Sequence, residues 1–304
     1  MADGMQSTLD ENLELERQLK LINKLPVKSI RVLILFTKFG YIVDCIDINK
    51  QPAFDHPLLK NHKLQRKPSF WKTKSKTGVN LSPSKSKARL EKVVCPEGTV
   101  PIRRTTKDDL IKSKKLLNSQ ILANDALVRH SDNFQKTGCY NLLCPGFVET
   151  AQEMFIGERV ENTSVIDRDM AEIAISLVQD VNTENWWLNI DFVPVGYFPK
   201  ALFSNLVSAD EVGWGGTTTT PAGTRAPPMG SGLFPDDNFV HACYFKNVSY
   251  QNQFREDIGP YEKRANLFTF TDKPKCYDVQ YYGDQGGEVG YSLQFGGPGG
   301  DCDS

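Results

Sequence analysis

Tyr277-Asp-Val-Gln-Tyr281 and Tyr291-Ser-Leu-Gln-Phe295 stand on either side of a glycine-rich turn, and in each the apolar and polar residues alternate. A period of two puts successive side chains on opposite faces, so the pair predicts a β-hairpin with one buried face. The same signal recurs upstream. Ile173, Ile175 and Leu177 alternate with Glu172, Ala174 and Ser176; the Asp180–Asn185 segment is turn-like; Trp186-Trp187-Leu188 opens another strand and Val195–Pro199 a third. Short alternating strands separated by turns predict a mainly β fold, an antiparallel β-sandwich. Its aromatic residues are expected to serve as core and cross-strand packing rather than as a platform for sugars or bases.

Between the two groups of strands lies Asp210-Glu-Val-Gly-Trp214-Gly-Gly-Thr217, then a threonine run and Pro227-Pro-Met-Gly-Ser231-Gly-Leu-Phe-Pro235. A tryptophan between glycines, followed by X-Pro steps, predicts a strand end that opens onto a surface loop. Toward the C-terminus, Gly296, Gly297, Gly299 and Gly300 surround Pro298 and read as a closing loop.

The N-terminal part has a different character. Thr8-Leu-Asp-Glu11 has the form of a capping box, and Leu9, Leu13, Leu19, Ile22 and Leu25 follow at helical spacings until Pro26. An amphipathic helix packed on its own domain is expected. The apolar block Val32–Phe36 is too short to cross a membrane and predicts a buried strand. From Lys60 to Lys92 there are eleven Lys/Arg and a single acid, Glu91. That run predicts a solvated linker rather than a nucleic-acid surface, because its aromatic residues are only Phe70 and Trp71, side by side. Lys107–Leu127 is mixed in charge and weakly helical in pattern. The formal net charge of the 304 residues is -1, so the whole molecule implies no polyanion partner. No apolar run approaches the ~18 residues of a membrane span, and Met1–Gln6 has no basic n-region leading into an apolar core.

The seven cysteines are odd in number, so at least one is free or pairs between chains. Cys45 and Cys95 could tie together the two ends of the basic run, could ligate a metal, or could stay as free thiols; partners at the short spacing that metal ligation needs are lacking. His56 and His62, between them, are expected to be structural or solvent-facing. His-Glu-x-x-His, Gly-x-Ser-x-Gly and Gly-Lys-[Ser/Thr] strings are all missing, Ser231 lacks the flanking pattern of a nucleophile, and nothing calls for a metal or cofactor. Sequons occur at Asn80, Asn162 and Asn247.

Several blocks carry a family resemblance. Ile42-Val-Asp-Cys45-Ile-Asp-Ile-Asn-Lys-Gln-Pro-Ala-Phe-Asp-His-Pro-Leu-Leu-Lys-Asn-His62 and Cys95-Pro-Glu-Gly-Thr-Val-Pro-Ile-Arg-Arg-Thr-Thr106 resemble the activation peptide of the neprosin family of plant glutamic peptidases. The Trp214 and Met229-Gly-Ser231-Gly-Leu-Phe-Pro235 blocks resemble the catalytic part, and from Ser131 to the C-terminus the resemblance is continuous. It implies an activation-peptide-like region over 5–117, including the basic run 60–92, and the C-terminal part of a catalytic β-sandwich over 131–304. Arg31–Phe36 has the look of an insertion. Disulfides Cys139–Cys144 and Cys276–Cys302 are implied, Cys45 and Cys95 remain disulfide candidates, and Cys243 is left unpaired; Cys243 is expected to be a small buried residue, with His241 on the same strand face.

What the resemblance implies about activity is negative. Family members are secreted endopeptidases that cleave at proline, so proline-containing polypeptides are the implied substrate class. They read Trp-Gly-Gly-Glu where this chain reads Trp214-Gly-Gly-Thr217, and that glutamate is one of two catalytic carboxylates. The other sits in an Ile-Glu-Ala-Gly-Trp-type segment with no counterpart here, because Ala123–His130 passes directly into Ser131–Phe147 as though internally deleted. One carboxylate must take a proton from water while a second group polarises the carbonyl, and threonine can do neither as an anion. Glu211 and Glu288 are the acids nearest in pattern, and neither is expected to substitute. The expected molecule is an inactive family precursor. The alternatives are a non-catalytic binding or decoy module that docks on an intact relative, or an aberrant truncated product.

Overall fold

The computed structural model describes residues 2–23, 33–72, 88–114, 143–204, 206–220, 223–260 and 267–302. The chain is mainly β and its strands pair antiparallel throughout, as the alternation predicts. One long helix, α1 (Ala2–Ile22), opens it. The helix begins ahead of Thr8 because no proline interrupts Ala2–Gln6, so the expected capping box lies within the helix and does not start it. Its C-terminal turn is tied down where Asn23 Nδ2 donates to Thr105 O and Thr105 N donates to Asn23 Oδ1, and Leu15 and Leu110 are buried. Residues 107–114 form a second helical segment.

Strands β1 (Leu33–Phe36), β2 (Ile42–Asp47) and β3 (Thr99–Arg103) form the N-terminal sheet in the order β1-β2-β3. β2 is central and buried, and Arg104 forks onto the buried Asp44 carboxylate. β1 is the edge strand. The buried strand expected from Val32–Phe36 is therefore found as a strand but not as a buried one: Phe36 is 77% exposed, and only Leu35 packs inward, beside Val43, Val93 and Phe155.

The second sheet comprises β4 (Val148–Glu149), β5 (Ile175–Gln179), β6 (Trp186–Ile190) and β7 (Val193–Phe198), ordered β4-β7-β6-β5. Register places Val148 opposite Tyr197 and Tyr197 opposite Trp187, so these three form a row across one face. Gly196 is required beside that row, since a Cβ there would lie 2.7 Å from the Phe147 ring. Ile175 and Leu177 project from the other face with Leu188 and Ile190 opposite. The third sheet is ordered β11-β12-β8, from β8 (Cys243–Phe245), β11 (Asp278–Asp284) and β12 (Tyr291–Gly296), and contains the expected C-terminal hairpin. β9 (Tyr250–Gln251) pairs with β10 (Asp257–Ile258).

Candidate functional site

Among the described residues, the row Val148–Tyr197–Trp187 is packed by the segment 53–70 and not by a sheet. Residues 51–72, three short 3-10 turns linked by extended chain, lie across it as a strap. Ala53, Phe54, Leu64 and Phe70 pack on the row, and Val148, Trp187 and Tyr197 are fully buried. The expected solvated linker is thus corrected over its first residues: Leu64 and Phe70, spaced between lysines and arginines, are taken up by an apolar sheet face, and Pro68 is fully buried. Residues 73–87 lie outside the described residues.

Polar groups fix the strap in register. Gln51 is 1% exposed; its Nε2 donates to Glu149 O, and its Oε1 accepts from Glu149 N, so its amide completes the outer edge of β4. The Tyr197 hydroxyl accepts from Gln65 N at 2.9 Å and lies 2.8 Å from His62 Nε2. Burial lowers the His62 pKa, keeping the imidazole neutral and able to accept from the hydroxyl, and burial raises the Tyr197 pKa to about 12. Asp180, fully buried at the end of β5, accepts from Ser69 N, Ser69 Oγ and Gln65 Nε2, while Asn182 N bonds it from its own turn. Burial opposes its ionisation, but these donors outweigh it and hold its pKa below the usual aspartate value. His62 is structural, as expected, and so is His56, whose Nδ1 accepts from Leu58 N at the start of a 3-10 turn.

A second seam is made by residues 88–95, outside the strap. Leu90 bridges Val160, Glu161 N donates to Arg89 O, Ala88 N to Glu172 O and Cys95 N to Gln152 O. Here sit two carboxyls that the sequence reading passed over. Glu149 is 6% exposed, its Oε1 accepts from Ile156 N at 3.3 Å, and its Oε2 has no partner. Both Glu158 oxygens are enclosed and without a side-chain partner. Burial raises the Glu149 pKa well above the usual range, with the Glu158 charge adding to it. Burial likewise raises Glu158 to about 7, with Glu91 and Glu161 nearby. A lone acid after the apolar Phe147-Val148 pair was the available signal for Glu149.

The expected catalytic position is elsewhere. Residues 211–220 form no strand, so the predicted strand end at Trp214 is corrected: the segment is irregular chain. It is held by Gly216, packed against Met229 and Phe295, and by Thr218 Oγ1, which donates to the Tyr277 hydroxyl. Thr217 is exposed, and no carboxylate among the described residues hydrogen-bonds to it. Glu211 and Glu288 are both exposed and lie on separate segments, the second in the β11–β12 turn. Ser231 Oγ only accepts from Leu233 N, within its own turn. An open trough of about 3460 Å³ runs between the second and third sheets, with Ile175 and Leu177 on one side and Tyr244 and Phe295 on the other; Glu149, Glu211 and Glu288 all border it.

Cys45 is joined to Cys95 and Cys276 to Cys302, each with a Cα–Cα distance of 5.5 Å. Cys144 is also disulfide-bonded, and its expected partner Cys139 lies outside the described residues. Cys243 is free and half-buried, less hidden than expected, with its Sγ against Gly230. His241 does not share a strand face with it: it lies in the turn before β8, with Nδ1 2.5 Å from Asp236 and Nε2 2.8 Å from Asp167. Asn162 is exposed and its Oδ1 accepts from Arg89 N; Asn247 is half-buried and donates to Glu288 O; Asn80 lies outside the described residues. Among the described residues no helix is long and apolar enough to cross a membrane, and no group of three or more His, Cys, Asp or Glu could hold a metal ion.

Fold and site together define a mainly β polypeptide whose N-terminal region is strapped onto antiparallel sheets, the organisation of a precursor. The family model described as Neprosin matches residues 124–298, and that described as Neprosin activation peptide matches residues 34–137. The chain belongs to the neprosin family.

Proposed function

We propose that this family member is a catalytically silent precursor polypeptide, one that retains the activation-peptide region and the C-terminal strands without the carboxylate pair expected to hydrolyse proline-containing polypeptides. The observation that carries this reading is Thr217, exposed and without a carboxylate bonded to it, in the Trp214-Gly-Gly position where the family pattern carries glutamate. A hydroxyl cannot serve as the anionic base of a carboxylate mechanism at accessible pH, and proton transfer depends on placement before pKa. Glu211 and Glu288 make no hydrogen bond or ion pair among the described residues that would aim them at a common point. Burial raises Glu149 and Glu158 alike and does not split them into an acid and a base, and Glu149 Oε2 and both Glu158 oxygens are enclosed. The disulfides suit folding in an oxidising, secretory setting.

Incubation of oxidised, folded chain with a proline-containing peptide at acidic pH, read by mass spectrometry, tests this. No cleavage is expected from the unmodified chain, nor from Thr217→Glu, because the second carboxylate is still lacking. Turnover by the unmodified chain would overturn the reading.

A second reading is favoured by the trough. Ile175 is 67% and Leu177 55% exposed on the open face of the second sheet, a surface suited to docking on an intact relative as a non-catalytic module. A complex with such a relative, weakened by Leu177→Lys, supports it; aggregation without a defined complex points instead to a truncated product.

A further inference from the structure

An activation peptide is by its name a segment that leaves. The seam argues otherwise for this chain. Both buried apolar clusters are shared: Ala53, Phe54, Leu64 and Phe70 complete the one around Trp187 and Tyr197, and Val43, Val93 and Leu35 complete the one around Phe155. Without residues 51–72 the sheet would expose a fully buried tryptophan and tyrosine. It would also strand the Asp180 carboxylate, which draws bonds from Ser69 and Gln65, and the outer edge of β4, which Gln51 completes. Exposing that apolar row to water is costly, and so is an unpaired strand edge.

We propose that the N-terminal region is a permanent structural subunit of the folded protein, remaining on the face formed by Val148, Asp180, Trp187 and Tyr197 after the chain is cut between residues 114 and 143. The partner of that face is therefore the chain's own region up to residue 114, held by apolar packing and buried side-chain hydrogen bonds. The Cys45–Cys95 bridge keeps the two arms of the region together, because a second cut between residues 72 and 88 would leave them covalently joined. None of these contacts involves Thr217, so retention of the region is independent of catalysis.

The test uses the full chain with a protease recognition sequence inserted within residues 115–142 and an affinity tag at the N-terminus. After cutting, both fragments are expected to elute together at the volume of the intact protein, to be captured together through the tag, and to unfold in one transition. Separation of the fragments in native buffer, whether the remainder stays folded or precipitates, overturns the proposal. Removing one seam group keeps the test informative. Tyr197→Phe should speed release of the cut fragment about 5- to 150-fold, the range expected for stranding buried hydrogen-bond partners. His241→Gln, outside the seam, should leave release unchanged; equal effects from both variants would count against a localised seam.

Discussion

The Tyr197 hydroxyl on β7 lies 2.8 Å from His62 Nε2 in the strap, a contact between residues 135 apart in the chain. It joins the two regions that the family pattern distinguishes, and it is made at a fully buried aromatic residue. Tyr197→Phe keeps the ring packing but leaves His62 and the Gln65 amide without their shared partner. A loss of about 1–3 kcal/mol in denaturant unfolding is expected. A change below about 0.5 kcal/mol would show that the strap contributes little to stability.

Trp187 and Trp186 are adjacent in sequence and opposite in role. Trp187 is fully buried under the strap, its ring centroid 4.7 Å from that of Tyr197, whereas Trp186 borders the trough. Trp187→Ala should cost about 3–5 kcal/mol and Trp186→Ala clearly less, measured by chemical unfolding. The reverse order would contradict the assignment of the covered face.

The two described disulfides close loops of different length, with sequence separations of 50 and 26. On chain entropy each is worth about 2–4 kcal/mol, the longer loop slightly more. Paired Cys45→Ser/Cys95→Ser should therefore lower stability at least as much as Cys276→Ser/Cys302→Ser.

Stability should fall as pH rises through the weakly acidic range. Glu149 and Glu158 have folded pKa values raised by burial, so the folded state keeps protons that the unfolded chain releases from about pH 4.5 upward. The loss continues until Glu158 ionises near pH 7, among Glu91 and Glu161, with Lys38 bonded to both of the latter. His241 acts in the same direction: the Asp236 and Asp167 carboxylates raise its pKa, so its contribution is complete below about pH 6.5 and lost above. Asp180, with a lowered pKa, acts oppositely and loses its contribution as pH falls below about 4. Unfolding midpoints across pH 3–8 should peak in the mildly acidic region, and Glu158→Gln should flatten the alkaline side. A profile unchanged by that substitution would show that the seam carboxyls do not titrate as described.

What was legible in the sequence was local. Alternation in Tyr277–Tyr281 and Tyr291–Phe295 is a property of the strand itself, so the antiparallel hairpin followed from period two, while its register, with a shift between Tyr281 and Gly283, did not. The blocks around Cys45, Cys95 and Trp214 likewise identified the family before any geometry was known. Tertiary structure alone decided which surfaces those elements meet. Leu33–Phe36 is as apolar as a core strand yet lies largely exposed at an edge, because burial depends on what packs against a strand. Leu64 and Phe70 belong to a run whose charge predicts solvation, yet they are docked, because the apolar Trp187–Tyr197 face takes them up. Glu149 and Glu158 are nine residues apart and unremarkable in sequence; their altered acidity comes from enclosure at a seam between distant segments, and desolvation is a property of surroundings that no local pattern encodes.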